Sequence, residues 1–126
     1  MKSRSVAPTE AQEQAALFEW AKRMEGKYPA LRWMHAIPNG GSRNLIEARH
    51  LKEQGVKAGV ADIFLPSPNA FWCGLYIEMK RREGGKLSKE QEAFLVDMTR
   101  AGYCAAVCRG WDEARQIIEK YLGGRI

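Results

Sequence analysis

Hydrophobic and polar residues follow two different periods along this chain, and together they predict eight secondary-structure elements. Apolar residues that recur every three or four positions predict four helices, over 10–25, 43–54, 89–101 and 111–122. Short apolar runs between turn residues predict four strands, over 31–37, 59–66, 71–81 and 103–109. No repeat or low-complexity tract interrupts the sequence, so we expect a single domain over 1–126 with a flexible arm at 1–8.

Three of the predicted helices begin at recognisable capping residues. Thr9 with Gln12, and Ser88 with Gln91, have the spacing of a capping box. In that motif the cap and the third helical residue each bond, through the side chain, to the other's backbone N–H. Ser42 is the expected cap of the second helix, because serine is favoured at that position.

The order α-β-α-β-β-α-β-α predicts an α/β fold built on a mixed β-sheet. The two central strands are separated by the turn segment SPNA, so we expect them to pair antiparallel as a hairpin. The helix that follows is long enough to cross the sheet and bring the last strand in parallel. Helices should therefore cover both faces of the sheet.

Composition and charge narrow the possible classes of function. Twenty Lys and Arg against 15 Asp and Glu give a net charge of +5, which suits an anionic partner such as nucleic acid. No apolar run approaches the roughly 20 residues of a membrane span, and the basic N-terminus lacks the apolar segment of a signal peptide. We therefore expect a cytoplasmic protein with no membrane partner. The three cysteines fit neither a disulfide nor a zinc framework and, like the four tryptophans, are expected to pack in the core.

Two acids and a lysine are predicted to meet on one face of the hairpin. Glu78 and Lys80 lie two positions apart on the second strand and so share a face. If the hairpin pairs symmetrically about Ala70, Asp62 lies directly opposite Glu78, with Cβ atoms roughly 4.5–5.5 Å apart. The alternative is a solvated strand face with a surface ion pair. Against it, an aspartate within an apolar strand requires a partner.

This trio predicts metal-dependent hydrolysis of a phosphodiester. Two adjacent carboxylates repel each other unless a cation lies between them, and hard oxygen ligands favour Mg²⁺ or Mn²⁺. Such an ion can polarise a phosphodiester and activate a water molecule. The backbone carbonyl of Met79, between the two charged residues, is a further expected ligand. The ammonium group of Lys80 can hold the water or stabilise charge on the scissile phosphate.

The segments around these residues resemble a known nuclease family. PNGGSRN, GVADIFLP, GLYIEMKR and LSKEQ are similar to the VRR-NUC family of the PD-(D/E)xK superfamily, and especially to its small stand-alone phage members. The resemblance spans roughly 10–103, and Ala61 stands where the superfamily often has proline. It implies a restriction-endonuclease-like core, with Asp62 and Glu78 as metal ligands and Lys80 as the catalytic lysine.

The resemblance also implies an acid on the first helix and a glutamine on the helix after the lysine. Glu10 is the best match for a catalytic and metal-binding acid, and Glu13 on the neighbouring stripe is the alternative. Favourable interaction with the helix dipole is the other interpretation of Glu10. Gln91 is either a site residue that contacts the active centre or only the capping partner of Ser88.

Several loop and basic residues are candidates for contacts to DNA. Asn39, Gly40 and Arg43 belong to a glycine-rich loop at a helix start, which suits phosphate, although a plain turn is the alternative. The loop lacks the Lys-Ser/Thr pair of a nucleotide-binding loop, so no nucleotide cofactor is expected. His35 and His50 are isolated and are not expected to be catalytic. Other basic residues adjoin the site in sequence and are either phosphate-binding or simply solvated: Lys57, Arg81, Arg82, Lys86 and Lys89.

The leading hypothesis is a Mg²⁺- or Mn²⁺-dependent DNA endonuclease. The resemblance implies a homodimer that cuts four-way (Holliday) junctions or other branched DNA, and symmetric incision requires two active sites related by a two-fold axis. One alternative is a DNA-binding module without turnover, against which the retention of Asp62, Glu78 and Lys80 argues. Another is a nuclease of the same chemistry that acts on linear duplex or single-stranded nucleic acid.

Overall fold

The structure, a computed structural model, describes residues 7–38 and 44–126. Most of the predicted arm, and the loop residues 39–43, lie outside that range. The helices are α1 (Glu10–Arg23), α2 (Leu45–Glu53), α3 (Lys89–Arg100) and α4 (Trp111–Leu122), with a 3-10 helix at Pro29–Trp33. The strands are β1 (His35–Ala36), β2 (Ile63–Leu65), β3 (Leu75–Lys80) and β4 (Cys104–Arg109).

The strands form a mixed sheet in the order β1-β2-β3-β4. β1, β2 and β3 pair antiparallel, and β4 pairs parallel to β3 after the α3 crossover, as predicted. Ile63 faces Ile77 and Leu65 faces Leu75, so the register expected from symmetry about Ala70 is confirmed. This register brings Asp62 to the level of Glu78.

Alternation along β3 divides the sheet into an apolar face and a polar face. Leu75, Ile77 and Met79 are buried in the core, together with side chains of α1 and α4 such as Leu17 and Ile118. On the other face, Tyr76 lies 5.1 Å from the ring of Phe94 in α3, and Glu78 contacts the same helix. The prediction of helices on both faces is thus confirmed, and the charged residues of β3 lie beneath α3.

The turn of the β2–β3 hairpin is held by Asn69. Its side chain donates to the carbonyls of Tyr121 and Ile126 and accepts from the N–H groups of Phe71 and Trp72. The hydroxyl of Tyr121 also donates to the Ser67 carbonyl at 2.6 Å. These bonds fix the turn to the end of α4, which sets the position of the opposite end of the hairpin.

The segment predicted as a strand over 31–37 is mostly not a strand. Pro29–Trp33 form a 3-10 helix with Pro29 in its first turn, and only His35–Ala36 pair with β2. Leu31 and Met34, three positions apart, are both buried, which is the spacing of a 3-10 turn rather than of a strand. Trp33 is 65% exposed, with the Arg32 guanidinium 5.0 Å from its ring, so its predicted burial was wrong.

The start of the second helix also differs from the prediction. α2 begins at Leu45, and its cap is Asn44 instead of Ser42, because the Asn44 side chain accepts from Ile46 N–H and Glu47 N–H. The capping boxes of α1 and α3 are confirmed. The hairpin strands are shorter than predicted: β2 and β3 cover 63–65 and 75–80.

The cysteines only partly follow the prediction of packing. Cys108 is buried and Cys104 half-buried, but Cys73 is exposed, and all three are free thiols. Within the described residues, no helix is both long and apolar enough to cross a membrane.

Candidate active site

Asp62 lies where the antiparallel pairing of β2 with β3 ends. Its backbone carbonyl accepts from Ile37 N–H at 2.7 Å, beside β1. Its side chain reaches β3, where Oδ2 accepts from Met79 N–H at 2.7 Å. In a continuing ladder this amide would bond to backbone, so the Asp62 carboxylate takes the place of the strand as the partner of β3. The carboxylate is therefore fixed next to Glu78.

Glu78 is a buried carboxylate, 2% exposed, with one oxygen that lacks a partner. Its Oε2 accepts from Gln91 Nε2 at 3.3 Å and lies 4.0 Å from Lys80 Nζ. Its Oε1 is buried and has no hydrogen-bond partner among the described residues. Burial raises the pKa of Glu78 to about 8, with the neighbouring Asp62 carboxylate adding to the rise and Lys80 opposing it. This oxygen thus favours a proton or a cation.

Lys80 and Glu78 are held by one residue of α3. Lys80 is 7% exposed, and its Nζ donates to Gln91 Oε1 at 3.1 Å. The same Oε1 accepts from Ser88 N–H at 2.9 Å, so two donors fix the orientation of the amide and turn its Nε2 towards Glu78. Gln91 therefore acts as a capping partner and also contacts both charged residues of β3, which unites the two interpretations drawn from the sequence.

The two acids of α1 have different surroundings. Glu10, in the first turn, is half-buried, and its charge contributes to the raised pKa of Glu78. Glu13 is 2% exposed and accepts from Arg82 Nε at 2.7 Å and from Trp111 N–H at 3.2 Å. Glu10 is thus the α1 acid whose charge reaches the site, whereas Glu13 is already paired elsewhere.

Comparison with known proteins identifies the family. The family model for the VRR-NUC domain matches residues 8–112, which is most of the chain. The chain belongs to the VRR-NUC family. A solved structure described as a VRR_NUC domain protein is similar over 94% of this chain and 91% of its own, at 28% sequence identity and a TM-score of 0.79. No curated protein sequence matches the chain.

VRR-NUC membership confirms the resemblance seen in the sequence. The family gives the protein a nuclease-type function on DNA. The similarity to a solved VRR_NUC structure extends over 94% of this chain. The acidic residues described above therefore lie in the nuclease domain itself.

The donors around Glu78 fit a hard divalent cation. Glu78 Oε1 is an orphaned buried oxygen beside a second carboxylate. Because the N–H and C=O of one strand residue leave the same edge, and the Met79 N–H points to Asp62, the Met79 carbonyl leaves β3 on that side too. No group of three or more His, Cys, Asp or Glu side chains converges within 7–38 and 44–126. Two carboxylates and a carbonyl, with water as the remaining ligand, suit Mg²⁺ or Mn²⁺.

The basic residues after β3 fall into two groups. Arg82 is paired with Glu13 and, at 2.8 Å, with Asp112, so its charge is neutralised within the protein. Arg81 and Lys86 are exposed and form no ion pair in the part of the chain that the structure describes. Of the arginines beside the site in sequence, Arg81 is therefore the one available to DNA.

The position of the other predicted DNA-contact residues relative to Glu78 and Lys80 is less well defined. Lys57 is exposed, two residues before Gly59, whose backbone lies against Glu90 at the start of α3. Lys89, the first residue of α3, is also exposed. Asn39, Gly40 and Arg43 lie outside the described residues.

Arg109 is a residue of this region that the sequence analysis did not single out. It pairs with Lys80 in the parallel register, and its guanidinium donates to the carbonyls of Arg81, Gly84 and Gly85 at 2.9, 2.6 and 3.1 Å. The available signal was slight: a charged residue at the end of an apolar strand. Its carbonyl partners depend on the folded path of a loop 24 to 28 residues away in sequence.

Proposed function

We propose that the protein hydrolyses phosphodiester bonds in DNA with a Mg²⁺ or Mn²⁺ ion held by Asp62, Glu78 and the Met79 carbonyl. The observation that carries this proposal is the buried, unpartnered Oε1 of Glu78 beside the Asp62 carboxylate. A buried carboxylate beside a second, half-buried one is unfavourable when the nearest ammonium is 4.0 Å away, so the pair suits a site that binds a cation. Glu10, whose charge reaches Glu78, is the further acid of the proposed site.

Side chains of the protein supply the other catalytic roles. When bound, the ion polarises the scissile phosphate and lowers the pKa of a water molecule. The Lys80 ammonium, fixed by Gln91, is available to orient that water or to stabilise negative charge on the phosphate. Gln91 fixes the positions of Lys80 and Glu78 relative to each other, because its side-chain amide contacts both.

We further propose that the substrate is branched DNA, in particular a four-way junction, and that the protein acts as a homodimer. The resemblance to small stand-alone members of the family supports both points, and a two-fold pair of sites suits paired incisions. The net charge of +5 supports binding of the DNA backbone. The proposed DNA contacts are Lys57, Arg81, Lys86 and the loop residues Asn39, Gly40 and Arg43.

The decisive experiment compares substrates, metals and one lysine. Labelled four-way junction, flap, linear duplex and single strand are incubated with wild type, Lys80→Ala and the control Lys120→Ala, in Mg²⁺, Mn²⁺ or EDTA. Lys120 is exposed in the last turn of α4. We expect wild type and the control to cut the junction fastest and only with metal, and Lys80→Ala to lose about 10²- to 10³-fold in kcat while still binding the junction.

Each part of the proposal can fail separately. Cutting in EDTA, or full activity of Lys80→Ala, would overturn the catalytic assignment. Tight junction binding by all three proteins without any cleavage would favour a DNA-binding module. Equal cutting of linear duplex and junction would contradict the preference for branched DNA, and a monomer by sedimentation at assay concentrations would contradict the homodimer.

A further inference from the structure

The loop that follows β3, residues 81–87, is folded around the guanidinium of Arg109. This side chain donates to three carbonyls of the loop, those of Arg81, Gly84 and Gly85. Gly84 and Gly85 have φ values of +71° and +67°, a conformation that only glycine adopts readily. The loop path thus depends on two glycines for its shape and on one arginine for its interior contacts.

The contacts to Arg109 determine where the amide groups of the loop point. In a trans peptide the C=O and the following N–H point in opposite directions, and the described residues contain no cis peptide bond. Because the carbonyls of Gly84 and Gly85 point to Arg109, the N–H groups of Gly85 and Lys86 point away from it. In the described residues, no backbone N–H of 83–86 donates to another protein group. Two successive amides are therefore free to bind an anion.

The free amides lie next to the proposed catalytic lysine. A Cβ added to Gly85 would lie 3.9 Å from Lys80 Cδ, so the loop adjoins that side chain. Arg81 and Lys86, in the same loop, have exposed side chains, whereas the side chain of Arg82 is paired with Glu13. A guanidinium behind the carbonyls also polarises the peptide groups, which strengthens their N–H groups as donors.

We propose that the 81–87 loop is a binding subsite for a DNA phosphate and that Arg109 is its positioning residue. The Gly85 and Lys86 amides, with the Lys86 side chain, bind a backbone phosphate next to the one that is cleaved. Arg109 acts from behind the loop, through its three carbonyl contacts, and does not touch DNA. This inference rests on the proposed nuclease function for its ligand, but it assigns a separate site.

Trypsin cleavage of Arg109→Lys and Arg109→Met tests the order of the loop, and NMR of the wild type tests the phosphate contact. Lysine keeps the charge but cannot reach three carbonyls with a planar fork, so both variants should behave alike. The loop contains three trypsin sites, at Arg81, Arg82 and Lys86, and we expect both variants to be cleaved there faster than wild type or the control Arg100→Lys. In wild type, NMR titration with a short duplex in EDTA should shift the amide signals of Gly85 and Lys86 downfield.

DNA affinity gives the third readout. By fluorescence anisotropy in EDTA, we expect both variants to bind labelled duplex about ten-fold more weakly, the range for two lost hydrogen bonds to a phosphate. Thermal melting shows whether each variant is folded. If Arg109→Lys matches wild type in trypsin cleavage and affinity, the positioning role is overturned. If wild-type Gly85 and Lys86 signals do not move at saturating DNA, the subsite is overturned.

These outcomes are distinguishable from failure of the proposed nuclease function. DNA binding with the two amide shifts but without cleavage in any metal would remove the catalytic proposal and leave the subsite in place. Cleavage without the shifts would keep the catalytic proposal and remove the subsite.

Discussion

Glu13 and Glu78 are buried to the same extent, yet their surroundings are opposite. Each is 2% exposed. The Glu13 carboxylate accepts from Arg82 Nε and Nη2 and from the Trp111 N–H, so both of its oxygens are bonded. Glu78 accepts from Gln91 at 3.3 Å through one oxygen, has no partner at the other within the described residues, and faces Asp62. Every oxygen of the Glu13 carboxyl group thus has a partner, whereas one oxygen of Glu78 has none in the described part of the chain.

We interpret this difference as that between a structural carboxylate, Glu13, and the proposed metal-binding one, Glu78. Burial of a charge is tolerated when hydrogen bonds and an opposite charge replace water, as they do around Glu13. Among the described residues, the one cation in contact with Glu78 is Lys80, which is 4.0 Å away and also bonds to Gln91. The missing interaction at Glu78 is what a bound metal ion would supply. The comparison therefore predicts opposite responses of the two residues to substitution.

The largest expected effect is the loss of activity in Glu78→Gln. The neutral amide cannot supply an anionic oxygen to a cation, so we expect cleavage of branched DNA to fall by about 10³-fold or more. Added Mn²⁺ should raise the Tm of wild type but not that of the variant. Initial cleavage rates and thermal melts with and without Mn²⁺ measure both effects. A Glu78→Gln protein that retains full activity would contradict the comparison.

The same substitution should stabilise the metal-free protein at neutral pH. The pKa of Glu78 is raised from 4.5 to about 8, so the folded state holds this proton more tightly than the unfolded chain does. The contribution of Glu78 to stability therefore falls as pH rises from about 4.5 to about 8, and then stays level. In EDTA, the Tm of Glu78→Gln should exceed that of wild type by a margin that grows over this range. If this difference in Tm does not change with pH, Glu78 does not have the raised pKa expected of an unpaired buried carboxyl group.

Glu13→Gln is expected to have a smaller effect, which acts on the stability of the protein and not on the cleavage reaction. The variant leaves Arg82 without its buried partner and weakens the link from α1 to the start of α4. We expect Tm to fall by roughly 5 to 10 °C at neutral pH, with or without metal. At a temperature where both proteins are folded, the cleavage rate should stay within a few-fold of wild type. Loss of activity without loss of Tm would show that Glu13, and not Glu10, serves the site.

The sequence could predict the geometry of the hairpin, but not the different surroundings of Glu10 and Glu13 on α1. The side-chain period of a strand and the turn at Ala70 set the register, so the approach of Asp62 to Glu78 followed from local rules. The partners of Glu13 are 69 and 98 residues away in sequence, and no local pattern indicates them. The sequence therefore favoured Glu10 and kept Glu13 as the alternative, but it could not show that Glu13 is paired with Arg82 and Trp111.

The errors in the predicted elements have the same origin. Residues 31–37 are apolar enough for a strand, but Pro29 and the spacing of Leu31 and Met34 favour a 3-10 turn that fills the core. The contacts of Arg109 with three carbonyls require the loop conformation set by Gly84 and Gly85. Short-range patterns thus predict which elements exist, whereas side-chain partners at long range depend on the tertiary fold.

The smallest effect is expected from a comparison of the two capping boxes, which have the same local geometry. Gln12 bonds only to Thr9 in the described residues, whereas Gln91 bonds to Ser88 and also contacts Lys80 and Glu78. Replacement of either glutamine by alanine removes one capping bond and should cost about 0.5–1 kcal/mol of stability, measured by urea unfolding. Only Gln91→Ala should also lower kcat, by about 10- to 100-fold, because it frees the two charged side chains of β3. Equal kcat values for the two variants would mean that Gln91 only caps α3. Contacts other than those with Gln91 would then have to fix the positions of Lys80 and Glu78.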